Sequence, residues 1–106
     1  MISEERIKSL LQLLKDEPYD PFLNYALALE YYKLGEHSKA INLIETLLVR
    51  NENYLGAYLQ LGNWYESAGN IEKARNTYTT GTKIARIQGN RKTLSELEKA
   101  IFLLDD

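Results

Sequence analysis

Residues 27–46, LALEYYKLGEHSKAINLIET, and residues 61–80, LGNWYESAGNIEKARNTYTT, are two versions of one pattern. Leu27 answers to Leu61, Tyr31 to Tyr65, Gly35 to Gly69, Lys39 to Lys73, Ala40 to Ala74, Asn42 to Asn76 and Thr46 to Thr80, always 34 residues apart. Ala28 and Gly62, both small, hold equivalent places. A fixed period of this length marks a solenoid, whose units bury their apolar faces by stacking on one another.

The flanking residues supply the boundaries. Asp20 before Pro21 is a start signal, a capping side chain followed by a proline whose missing N–H costs nothing in the first turn. It predicts a helix over residues 21–34, ended by Gly35, a residue suited to the left-handed conformation. A second helix follows over residues 37–50, closed by polar Asn51, Glu52 and Asn53. The pattern then returns: a helix over residues 54–68 ends at Gly69, and Asn70 caps another over residues 71–87, before Gly89 and Asn90. Ahead of these, residues 3–15 read as a helix with Ser3 as N-cap, Glu4 and Glu5 matched to the helix dipole, and a stripe of Ile7, Leu10, Leu11 and Leu14. Residues 92–104 form the last, begun either by a Thr93–Glu96 capping box or by Asn90. Apolar residues recur at spacings of three and four throughout, so no strand is expected.

Composition narrows the class. A chain of 106 residues with 44% hydrophobic and 26% charged residues is an ordinary globular domain. A net charge of −2 lacks the basic footprint of nucleic-acid binders. Apolar runs such as Ile101–Leu104 are too short to span a bilayer, and no basic start precedes an apolar stretch as in a signal peptide. No cysteine means no disulfide or thiolate site, which fits a reducing compartment and a cytoplasmic location. Tyrosine is the conspicuous bias, eight against two Phe and one Trp, and its apolar body and polar tip suit both helix packing and a partner groove.

Residues 21–54 and 55–88 resemble tetratricopeptide repeats, each a helix-turn-helix hairpin. The second carries Tyr58, Leu61, Gly62, Tyr65, Gly69, Ala74, Tyr78 and Gly81 at the family's signature places. The first carries Leu27, Ala28, Tyr31, Gly35 and Ala40, but has Asn24, Ile44 and Leu47 at the other three. The usual closing proline is missing at Glu52 and Arg86. The resemblance implies a right-handed α-α superhelix of about six antiparallel helices in one domain, 1–106. Within it, residues 1–20 fit the second helix of a degenerate preceding unit, and residues 89–106 a solvating cap. The flanking helices bring the total to three hairpins' worth, about the number a solenoid needs.

Catalysis needs converging nucleophiles, acids, bases or ligands. His37 is the sole histidine and reads as a solvated turn residue; a zinc or iron site would need three or four ligands. Glu4 and Glu5 serve the helix dipole, Asp105 and Asp106 form a solvated tail, and the turn glycines make no phosphate loop. The chain is therefore expected to be no enzyme, with no catalytic residue, metal or cofactor.

Function is sought instead on the face left apolar once the repeats pack. Phe22, Tyr25, Leu29 and Tyr32 form a second stripe, distinct from the packing face of Leu27, Ala28 and Tyr31, so this helix is apolar nearly all round. By analogy with the family the stripe faces the concave surface, edged by Lys33. The matching face of the fourth helix carries Leu59, Gln60, Asn63, Glu66 and Ser67. An aromatic wall and a hydrogen-bonding wall suit an extended peptide or a partner helix. The alternative is that a terminal helix covers the stripe within the monomer. Trp64 is assigned to packing between units. The chaperone-tail clamp known in one branch of the family would fall on Tyr25, Leu29, Gln60, Asn90 and Leu94, where no cation stands to hold a carboxylate. The expectation is a scaffold binding a protein or peptide, without nucleic acid or membrane. A homodimer built on the stripe is the first alternative, and an RNA-reading helical repeat the second.

Overall fold

The computed structural model describes residues 2–105; Met1, and Asp106 of the expected acidic tail, lie outside them. Six helices follow in order: α1 (Ser3–Leu14), α2 (Pro21–Lys33), α3 (His37–Arg50), α4 (Gly56–Ser67), α5 (Ile71–Gln88) and α6 (Arg91–Leu104). Among the described residues there is no strand. The chain divides into two compact units, Met1–Asn51 with α1 to α3 and Glu52–Asp106 with α4 to α6. In the first, α2 packs on both α1 and α3; in the second, α5 packs on α4 and α6, and α4 also touches α6.

The repeated glycines close the hairpins. Gly35 and Gly69 adopt φ of +86° and +80°, which a side chain rarely tolerates. That conformation lets the Glu36 N–H reach the Tyr31 carbonyl at 3.0 Å and the Gly35 N–H reach Tyr32 at 3.0 Å. One period later Asn70 donates to Tyr65 at 2.8 Å and Gly69 to Glu66 at 2.9 Å. Orphaned carbonyls at the helix end are thereby satisfied while the chain reverses. The repeated Tyr–Lys pairs span the same turns, with Lys39 Nζ 4.7 Å from the Tyr31 ring centre and Lys73 Nζ 5.5 Å from that of Tyr65.

At the starts, the Asp20 side chain accepts from the Leu23 N–H at 2.8 Å, and Asn70 from Lys73 at 3.3 Å. Asn90 accepts from the Thr93 N–H at 3.0 Å, so α6 is capped by Asn90 and not by a Thr93–Glu96 box. Ser3 is likewise not the cap of α1. It lies inside the first turn, after Ile2, and its hydroxyl leaves the helix to bond Glu30. The fourth helix begins at Gly56, later than the expected residue 54.

The first unit buries Ile7, Leu27, Ala28, Ala40, Ile44 and Leu47. Of the α1 stripe, Leu10 and Leu14 are half-buried and Leu11 is exposed, because contact with α2 seals a strip narrower than four leucine-sized positions. In the second unit Tyr78 is fully buried across from Gly62, where a methyl group would collide with the Tyr78 ring. One turn further along α5, a Cβ on Gly81 would stand 2.8 Å from Tyr58 Cβ and 3.0 Å from Leu97 Cδ1. Leu97 is the residue of α6 that is fully buried, while Phe102 and Leu103 are exposed.

Among the described residues one charge is buried. Glu30, on α2, has a side chain 3% exposed, and its carboxylate takes the Ser3 hydroxyl at 2.9 Å, Arg6 Nε at 3.1 Å and Lys33 Nζ at 3.3 Å. Burial alone pushes the carboxyl up, but the Ser3 and Lys33 hydrogen bonds and the charges of Arg6 and Lys33 outweigh it and hold it below its ordinary value. Two of the three partners lie on α1, so this cluster pins α1 to α2.

Two outcomes follow from this packing. Gly62→Ala should lower the unfolding free energy by about 1–3 kcal/mol, read from the urea midpoint, as overpacking does. Because the folded Glu30 carboxyl is the stronger acid, its stabilisation is present above the ordinary carboxyl value of 4.5 and is lost as pH falls through the folded one. Glu30→Gln should therefore show a shallower loss of thermal midpoint than the parent between about pH 5 and 3, the range over which paired carboxylates protonate.

Candidate peptide-binding site

On α2 the two stripes separate by burial. Leu27 and Ala28 are sealed at 4% and 0% exposure, while Phe22 stands 65% exposed and Tyr25, Leu29 and Tyr32 are half-buried. The ring of Tyr32 stacks on His37, the first residue of α3, with centres 4.0 Å apart and planes 20° from parallel. The histidine expected only to be solvated thus fixes one ring of the stripe. Lys33 is exposed, but its ammonium is engaged with Glu30 and is not a free charge at the edge.

On α4, Leu59 and Gln60 are half-buried and Asn63, Glu66 and Ser67 exposed. The Tyr78 hydroxyl, reaching up from α5, donates to Glu66 Oε1 at 2.6 Å and lies 2.7 Å from Asn63 Oδ1. A phenol has one proton and cannot donate to both; with the Asn63 amide turned over, its NH₂ supplies the second bond. Burial, then the bond to Glu66 and the charge of Glu66, push the Tyr78 phenol well up from its ordinary value of 10.0. Asn63 and Glu66 therefore present their remaining lone pairs from fixed positions.

Tyr78 entered the sequence reading only as a signature position of the second repeat, with no role beneath the α4 face. The available signal was a tyrosine, not phenylalanine, at a buried place. Of the clamp positions, Asn90 has its side-chain oxygen taken by the α6 cap. Among the described residues no group of histidines and carboxylates is placed to hold a metal ion, and no helix is long and apolar enough to cross a membrane.

Several solved structures are similar to this chain. A tetratricopeptide repeat domain protein from Salinibacter ruber, solved by solution NMR, is 40% identical with a TM-score of 0.80, over 83% of this chain and 89% of its own. The TPR2B domain of yeast Sti1, in complex with a pHsp70 segment, is 16% identical with a TM-score of 0.86, over 97% of this chain and 82% of its own. PcrH, in complex with the chaperone-binding region of PopD, is 12% identical with a TM-score of 0.86, over 97% of this chain and 78% of its own. At these identities the last two share the fold. No protein-family model and no curated protein matches the sequence.

Tyr78→Phe keeps the ring and removes the tie to Asn63 and Glu66. Chemical denaturation should show it less stable by about 1.5–3 kcal/mol at pH 7, the cost of a hydrogen bond to a charged acceptor. The folded phenol is the weaker acid, so its contribution is complete below the ordinary value of 10.0 and fades as pH rises past it. The parent and the variant should accordingly converge in strong alkali.

Proposed function

The chain belongs to the tetratricopeptide repeat family, and on that premise we propose that it is a non-catalytic scaffold that binds a peptide or partner helix through exposed faces of α2 and α4. The observation that carries this reading is the α2 stripe: Phe22 is 65% exposed beside half-buried Tyr25, Leu29 and Tyr32, on a helix whose opposite side is sealed. Exposed aromatic area of this kind supplies most of the energy of a contact and costs little conformational entropy to order. On α4, Leu59 adds apolar area, while Gln60, Asn63, Glu66 and Ser67 orient the ligand through its backbone; Lys33 contributes only the donors that Glu30 leaves unused. That these faces form the concave surface is part of the proposal, as is the division into repeats 21–54 and 55–88 with flanking helices 1–20 and 89–106.

Structures of similar fold support a ligand of this class, since yeast Sti1 TPR2B was solved with pHsp70 and PcrH with a segment of PopD. The ligand of this chain differs from a chaperone tail gripped by its carboxylate, because Tyr25 and Leu29 stand where cations would be needed. We place the protein in the cytoplasm, without an enzymatic activity, cofactor or nucleic-acid partner.

Peptides selected from a display library against the parent chain should lose at least about a hundredfold in affinity for Tyr25→Ala/Leu29→Ala, as the loss of two interface anchors implies. Circular dichroism should show helicity retained. Unfolding of the double variant would make the pair core and end the proposal. Light scattering across a concentration series should give a monomer; a dimer that Phe22→Ala disrupts would put the stripe at a self-interface instead.

A further inference from the structure

The two hairpins differ in one packing place, and the difference leaves a hole. In the second, Tyr58 is 5% exposed, lies against Gly81, and donates its hydroxyl to the Glu52 carbonyl at 2.7 Å. One period earlier the same three places are held by Asn24, Leu47 and Pro18. Asn24 Nδ2 donates to the Pro18 carbonyl at 3.1 Å and to that of Asp20 at 2.9 Å, so the bond to the loop survives while the ring that made it is gone. Leu47 grows into part of the vacated volume. The rest is a cavity of about 130 Å³ between Pro18, Tyr19 and Pro21 on one side and Leu43 and Leu47 on the other. Its size is close to the roughly 150 Å³ of an apolar cavity that takes up benzene.

Arg50 stands at the rim, its guanidinium carbon 3.8 Å from the centre of the Tyr19 ring. Stacking orders the guanidinium without consuming its N–H donors, and among the described residues Arg50 enters no ion pair. The site therefore pairs a largely apolar space of ring size, with Thr46 and Asn51 also on its wall, with an ordered, uncompensated cation.

We propose that this cavity binds one aromatic side chain of a partner polypeptide, presented beside an acidic residue. The ring occupies the place that Tyr58 fills in the second hairpin, and the neighbouring carboxylate takes the open edge of Arg50. The Asn24 amide already spends both protons on the loop, so recognition rests on ring burial and on Arg50. None of these residues belongs to the stripe on α2, and the two sites stand or fall separately.

The test is an NMR titration of the full chain with three acetylated, amidated tripeptides, Glu-Phe-Glu, Lys-Phe-Lys and Glu-Ala-Glu. Glu-Phe-Glu should shift the amides of Tyr19, Asn24, Leu47 and Arg50, and Glu-Ala-Glu should leave them still. Lys-Phe-Lys should bind about tenfold more weakly, the value of one charge-assisted hydrogen bond. Arg50→Gln, at an exposed position, should bring the two Phe peptides to equal affinity. Asn24→Tyr restores the ring from within and should abolish the shifts. Tyr25→Ala/Leu29→Ala should leave them intact. Equal shifts from Glu-Ala-Glu, no shift at these four amides, or a charge preference that survives Arg50→Gln would each overturn the proposal, and the last applies even if Asn24→Tyr fails to fold.

Discussion

Every hairpin in this chain depends on how closely its two helices can approach, and side-chain size across the contact sets that distance. In the second hairpin a fully buried tyrosine ring lies against a glycine, because any larger residue at position 62 would overlap it. The first hairpin solves the same problem with moderate sizes on both sides, Ala28 and Ile44 at the equivalent places, both fully buried. The second contact is complementary in the same sense, Tyr58 with Gly81 in one hairpin and Asn24 with Leu47 in the other. Close packing makes such exchanges correlated: a residue can change size only if its neighbour changes the other way. Where the exchange is incomplete, as at Asn24, a cavity results.

Polar ties then determine how the outer elements attach. Glu30 joins α1 to α2 through a carboxylate shielded from water, where each hydrogen bond and charge acts in a low-dielectric setting. Tyr78 joins α5 to α4 through a hydroxyl set against Asn63 and Glu66. Both arrangements place a polar atom beneath an exposed surface and so restrict the side chains at that surface. For the proposed binding role this amounts to preorganisation: Tyr32 is stacked on His37, and Asn63 and Glu66 are held by Tyr78.

Much of this was readable from local pattern. The 34-residue interval, the glycines, and the Asp–Pro and Asn starts placed all six helices to within two residues at either end. The spacing of Phe22, Tyr25, Leu29 and Tyr32 identified a stripe distinct from the packing face. These are properties of single helices and their ends, where the physics involves residues within a turn or two of one another. The one misread cap has a related cause: Ser3 had a suitable side chain, but Glu30 drew it away from the helix end. At α6 the structure decided for Asn90 between the two caps that the sequence offered.

The sequence by itself determined the helical hairpins and their period, because capping, left-handed turns and apolar spacing act over a few residues. Only the tertiary structure decided the rest: that Glu30 is buried among Ser3, Arg6 and Lys33, that Asn63 and Glu66 rest on a tyrosine more than ten residues away, and that the loss of one ring at Asn24 leaves an unfilled space beside Arg50. Each of these depends on distances between helices, which follow from how side-chain volumes fit together and not from the pattern along any one of them.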